Sequence, residues 1–171
     1  MKKIAASALA LFLFMGVTMA QKFAFVDSDY ILQNIPSYNA AQLELDKASE
    51  AWEAEVAKEY EAIETMYKTY QSERVLLTDE MKKKREDEII TKERQVKELQ
   101  AKYFGPDGDL SKKRQELVKP IQDAIYKAVK ELSAEGSYAV IFDTASGASI
   151  LYSNPRYDLS DEVLEKMGYK N

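Results

Sequence analysis

The chain has 171 residues, 24 bases against 29 acids, a formal charge of -5, and neither cysteine nor histidine. That length suits one modest domain, or a small domain carrying an extended element. Without His or Cys, triad and metal chemistry are disfavoured and no disulfide can form. The acidic balance speaks against a nucleic-acid partner.

Lys2 and Lys3 precede an apolar run from Ile4 to Val17, which closes on Thr18, Met19 and Ala20. This order of charge, apolar stretch and small residues predicts a secretory signal peptide over residues 1–20, cleaved after Ala20. The run is too short to cross a bilayer comfortably, and no cysteine follows it to carry a lipid. The mature chain is then expected to be exported, with 22 bases against 29 acids and a charge of -7.

Phe23-Ala24-Phe25-Val26 is aromatic and β-branched and stops at Asp27, which predicts a short strand. From about Ser37 to Ala134 the sequence is rich in Ala, Glu, Lys, Gln and Leu and predicts helix. At 100° per residue, Leu45, Trp52, Val56, Tyr60, Ile63, Met66, Tyr67, Tyr70 and Leu77 fall within an arc of about 120°. This stripe is an inter-arm seam or a surface for adaptable contacts with a client protein, through Trp52, Tyr60, Met66, Tyr67 and Tyr70. Further on, Leu110, Leu117, Ile121, Ala124, Ala128 and Leu132 recur at coiled-coil spacing.

Two positions invite the helix to turn back. Gly105-Pro106-Asp107-Gly108 is the more obvious, since Gly-Pro and Asp-Gly both mark turns. If head and tail strands share a sheet, however, the arms must be nearly equal in length, which favours a tip near residues 75–79. Thr78 then caps the return helix, with Asp79 and Glu80 at its positive end. Nine acids and four bases between Ser37 and Leu77 leave -5, while twelve acids and fourteen bases between Asp79 and Ala134 leave +2. Opposite charge suits antiparallel arms. The segment 104–109 is then a kink or a looped-out turn within the return arm.

The tail predicts a second strand at Tyr138 to Phe142, a turn near Gly147, and a third strand at Ser149 to Ser153. A final helix runs from about Ser160 to Met167, capped by Asp158 or Ser160 and stopped by Gly168. The fold class is α+β, mainly α. A long antiparallel helical hairpin over 37–134 projects from a small β body made of 21–36 and 135–171.

Phe23-Ala24-Phe25-Val26-Asp27, Lys112 to Gln122, Tyr138 to Asp143 and Asp158 to Leu164 together resemble the Skp/OmpH family of periplasmic chaperones. The resemblance implies a homotrimer whose strands, with Phe23, Phe25, Val26, Val140, Ile141, Phe142, Ile150 and Leu151, build a shared body. It further implies helical arms that enclose unfolded outer-membrane proteins in the periplasm without ATP, and no cofactor. A structural coiled-coil spacer of the envelope is the alternative. Lys82, Lys83, Lys84 and Arg85 form a basic run that can meet membrane lipid or lipopolysaccharide, although Glu86-Asp87-Glu88 follows at once. No phosphate-binding Gly-Lys-Ser/Thr loop or calcium loop is present, so catalysis is not expected. Intact-mass measurement of the exported protein is expected to give a chain that begins at Gln21 and carries no lipid.

Overall fold

A computed structural model describes residues 21–147 and 150–169. The leader sequence lies outside these residues. Strand β1 (Lys22–Val26) leads through Asp27 into a short helix α1 (Ser28–Gln33). A helix of 38 residues, α2 (Pro36–Glu73), then runs outward. The chain turns at residues 74–78 and returns through α3 (Asp79–Phe104) and α4 (Asp109–Gly136) to strand β2 (Tyr138–Asp143). A single 3-10 turn (Pro155–Tyr157) and a last helix α5 (Ser160–Lys166) complete the described chain.

Local chemistry sets these boundaries. Asp27 accepts a hydrogen bond from the Tyr30 amide at 2.9 Å and caps α1. Pro36 opens α2, where its missing N–H costs nothing. The Thr78 hydroxyl accepts from the Met81 amide at 3.3 Å, and Asp79 and Glu80 lie in the positive first turn of α3. After α5, Gly168 takes φ 89°, and the Tyr169 amide reaches back to the Leu164 carbonyl at 2.8 Å.

β1 and β2 pair in parallel, with Phe23 opposite Val140, Ala24 opposite Ile141 and Phe25 opposite Phe142. Parallel strands need a crossover connection, and here the crossover is the whole hairpin. The return arm must therefore run past the base of the outgoing arm to reach the starting end of β1. For this reason the arms are not equal. The expected arm boundary at residue 134 also shifts, because Ile125 and Ala128 of α4 are buried in the body core. They pack with Ala24, Val26, Ile31, Ile35, Leu159, Val163 and Leu164.

The expected third strand is absent: residues 150–153 form no strand, and Leu151 is fully exposed. A strand needs an edge to bond to. The free side of β1 is already met by a bridge from Phe25 to Asp158 and by the Leu159 amide on the Phe25 carbonyl at 2.8 Å, while β2 ends the two-stranded sheet and residues 150–153 do not pair with its outer edge. Ser149 lies outside the described residues.

The interruption at Gly105–Gly108 is a turn that keeps the register of the arms. Tyr103 bonds Glu55 on one side of it and Lys113 bonds Glu44 on the other. Eleven residues back along α2 correspond to ten forward on the return arm, so nothing is looped out. Both glycines are needed for close approach. A Cβ at Gly105 would lie 2.4 Å from the Ala101 carbonyl oxygen, and one at Gly108 would lie 2.7 Å from that of Tyr103.

A polar clasp closes the body. The Ser160 hydroxyl donates to Asp158 at 2.6 Å and accepts the Asp27 amide at 2.8 Å. The N-cap of α5 is Leu159, which has no side-chain bond to offer, so neither Asp158 nor Ser160 caps the helix. Asp158, one residue earlier, accepts the Ser160 amide at 2.9 Å, and the serine links α5 to the end of β1. Asp143, at the end of β2, accepts the Ser28 amide at 3.1 Å and its hydroxyl at 2.8 Å. Ser160 is buried, so Ser160→Ala strands the Asp27 amide. The variant is expected to lose about 1–3 kcal/mol in denaturant unfolding of the body, with the m-value unchanged.

Candidate functional site

The aromatic stripe of α2 faces the return arm and ties the two together. Trp52 stacks on Tyr103 with ring centroids 5.0 Å apart and planes within 6°. The Tyr60 hydroxyl donates to Gln100 at 3.2 Å, that of Tyr67 to Glu93 at 2.9 Å, and that of Tyr70 to Glu86. In the opposite direction, the Tyr103 hydroxyl donates to Glu55 at 2.9 Å. Beneath these bonds lies a thin apolar line of Val56, Ile63, Val96 and Tyr103.

The rings are not fully enclosed. Tyr60 is 43% exposed and Tyr67 41%. Met66 borders an open groove of about 610 Å³, shared with Lys83, Lys84, Asp87 and Lys92. A second groove of about 400 Å³ is lined by Val56, Ala57, Tyr60 and Phe104, with Glu53 and Gln100 at its rim. The stripe thus serves as seam and as accessible aromatic surface at once. Tyr103 was missed by the sequence reading, although it continues a strict seven-residue spacing through Ile89 and Val96.

At the tip, the basic run is folded back onto acids. Lys82 pairs with Asp79 at 3.0 Å, and Arg85 with Glu88 at 3.2 Å and Glu73 at 3.9 Å. Lys83 and Lys84 share their groove with Asp87 and Glu88. Such exposed pairs contribute about 0–1 kcal/mol each.

The other unusual surface is on the sheet. Val26 and Ile141 point into the body core, whereas Phe23, Phe25, Val140 and Phe142 occupy the opposite face. There Phe25 stacks on Phe142 at 5.8 Å, and Phe23 lies 6.4 Å from the same ring. Phe23, Val140 and Phe142 are each more than 40% exposed. Ile150 is half-buried and Leu151 projects freely. Among the described residues, no cluster of His, Cys, Asp or Glu is placed to hold a metal ion. No helix among them is long and apolar enough to cross a membrane.

A helical hairpin on a parallel two-stranded body is the decisive arrangement, and the family model for "Outer membrane protein (OmpH-like)" matches it over residues 22–167. The chain belongs to the OmpH-like family. It is 27% identical over 152 residues to an uncharacterized protein of Aquifex aeolicus (strain VF5), covering 89% of each chain. A solved structure from Caulobacter crescentus CB15, described as a candidate outer membrane chaperone (OmpH-like), has the same fold. Its TM-score is 0.67 at 12% identity, over 90% of this chain and 89% of that one.

In this OmpH-like hairpin the seam is softer than a coiled coil of interlocked aliphatic residues, because much of it is phenol bonded to carboxylate. Those bonds hold Tyr67, Tyr70 and Tyr103 above the ordinary phenol range, chiefly because Glu93, Glu86 and Glu55 accept from the protonated hydroxyls. Groups raised on folding contribute stability that is complete below the unfolded phenol pKa of about 10 and is lost as pH rises through the folded values. The arms are therefore expected to loosen at alkaline pH, with the body following only later. Near-ultraviolet titration checks this: Glu55→Gln is expected to lower Tyr103 toward the ordinary range, with burial and Asp109 still raising it, and to leave Tyr67 and Tyr70 raised.

Proposed function

We propose that this OmpH-like protein is an ATP-independent periplasmic holdase that shields unfolded outer-membrane proteins in a cavity between the arms of a homotrimer. The observation that carries this reading is the bare apolar face of the sheet. Purely parallel sheets are stable when both faces are covered, and α4 covers only one. Phe23, Phe25, Val140 and Phe142 make the other face a surface for a second copy, as an exposed patch of clustered large apolar residues suggests. Association there roots several hairpins at one body with their arms directed away from it. An unfolded β-barrel protein exposes apolar strands that aggregate, and arms bearing half-exposed tyrosines and Met66 offer many weak contacts while keeping other chains out. A spacer protein requires the arms and a fixed partner but no indifference to client sequence.

The two sides of β2 separate assembly from folding. Val140→Asp places a charge on the outer face, while Ile141→Asp buries one in the chain's own core, which costs several kcal/mol. Light scattering is expected to show a trimer for the wild type, a helical monomer for Val140→Asp, and an unfolded body for Ile141→Asp. In an aggregation assay, the wild type is expected to protect several unrelated unfolded β-barrel proteins, and the Val140→Asp monomer to lose most of that protection. Full protection by the monomer would sink the shared-cavity mechanism, and no protection by the wild type would leave the spacer reading. Tyr60→Ala or Tyr70→Ala is expected only to weaken holding, since contacts are spread along the arm.

A further inference from the structure

The two apolar clusters of the hairpin do not join. One, toward the tip, contains Val56, Ile63, Val96 and Tyr103, with Trp52, Leu99 and Phe104 against it. The other, near the base, contains Ala41, Leu45 and Val118, with Tyr38, Leu110 and Leu117. On the return arm they are separated by Gly105–Gly108, where the regular helical ladder stops. Within that turn the Gly108 amide bonds the Gly105 carbonyl at 2.9 Å. Opposite it on α2 lie Asp46, Lys47, Ala48, Ser49, Glu50 and Ala51, none of which is buried. At this height the return helix is interrupted and, although Gly108 is buried and Ala48 and Ser49 are half-buried, no buried apolar side chain joins the two clusters.

We infer that the hairpin bends at a joint formed by Gly105–Gly108 against Asp46–Ala51, and that the Trp52–Tyr103 stack is the latch that holds it straight. The latch sits at the distal lip of the joint. Tyr103 is 7% exposed, lies flat on Trp52, meets Phe104 edge-on at 6.3 Å and bonds Glu55. Across the turn itself, Lys102 and Asp109 approach only to 3.9 Å and are both solvent-accessible, so they add little resistance. Proximal to the joint, Lys113 and Glu44 fix the base. Bending takes α2 through a gentle curve, which an unbroken helix accepts, and the glycine turn absorbs the change in backbone angles. The inference does not depend on what the arms hold.

The full-length protein lacks cysteine, so spin labels go only where cysteines are introduced. Labels at Gln71→Cys and Lys127→Cys span the joint, and labels at Gln71→Cys and Lys97→Cys lie on its distal side. Labelled chains are diluted with unlabelled ones so that only distances within one chain are read. Residue 71 lies about 30 Å beyond the joint, so a bend of about 20° moves it by about 10 Å. Residue 127 lies about as far on the other side of the joint and nearly in line with it, so this sideways movement changes the 71–127 separation by only a few ångströms. Tyr103→Ala is expected to broaden the 71–127 distances by about that smaller amount and leave the 71–97 distances unchanged. Trp52→Leu, which removes the stack but keeps an apolar side chain in the seam, is expected to do the same. Replacing Gly105, Pro106, Asp107 and Gly108 together by Ala continues the helix in register and is expected to restore narrow 71–127 distances even with Tyr103→Ala. Unchanged 71–127 distances in both latch variants, equal spreading of both pairs, or persistent spreading in the four-alanine chain would overturn the joint.

Discussion

Parallel pairing of β1 with β2 is the constraint from which the molecule's shape follows. The two strands are separated by more than a hundred residues, and closing such a loop costs on the order of 4 kcal/mol in chain entropy before any contact forms. Five residues of sheet cannot offset that alone. The cost is met because the returning helix α4 arrives under the sheet and buries Ile125 and Ala128 against Ala24, Val26 and Ile141, while α5 closes the same core with Val163 and Leu164. An antiparallel pair would end the return arm at the opposite end of β1. The parallel pair makes it overrun, so the last turns of α4 are at once the root of the arm and the floor of the body.

The same constraint gives the scattered acidic and hydroxyl residues of the body a common place. Val26 lies opposite Asp143 in the register, so the strand-ending aspartates, Asp27 and Asp143, emerge at the same end of the sheet. Asp27 starts α1, Asp143 holds Ser28, and Ser160 bridges Asp158 to the Asp27 amide. Three short segments, far apart in sequence, are thereby fixed to one another by hydrogen bonds that have no apolar signature. Burial of Ser160 makes the arrangement specific, since a hydroxyl with its partners displaced is more costly there than an alanine at the surface.

Features governed by local chemistry were legible in the sequence: the helix start at Thr78, Asp79 and Glu80, the stop at Gly168, and the apolar stripe of α2. Each depends on neighbours within a turn or two. What depended on pairing was harder to read. The third strand was expected from a β-branched and aromatic composition around Ile150, Leu151 and Tyr152, but composition does not decide whether a segment reaches the open edge of β2. Equal arms were expected from a shared sheet, but strand direction leaves no mark on periodicity, and it decides how far α4 travels. The alternation of Val140 and Ile141 between outer and inner faces is likewise invisible until the register is set. In the arms, the stripe identified Trp52, Tyr60, Tyr67 and Tyr70 but not their partners, because the glutamates that accept from the tyrosines look like any solvated helix face.

Body and arm answer different physical demands, and the distribution of residue types along the chain reflects this. The body places aliphatic side chains in a closed core and fixes its polar groups, so its geometry has little freedom. Along the arms, burial is reduced to a line of single aliphatic residues, and the remaining adhesion comes from phenol–carboxylate bonds and exposed ion pairs, each weak and each open to water. Water can compete at every one of those bonds, so local opening costs little compared with opening the body. A hairpin built in this way keeps a defined root while its surface and curvature adapt. Its half-exposed aromatics can then exchange contact with the opposite arm for contact with another chain at small net cost in free energy.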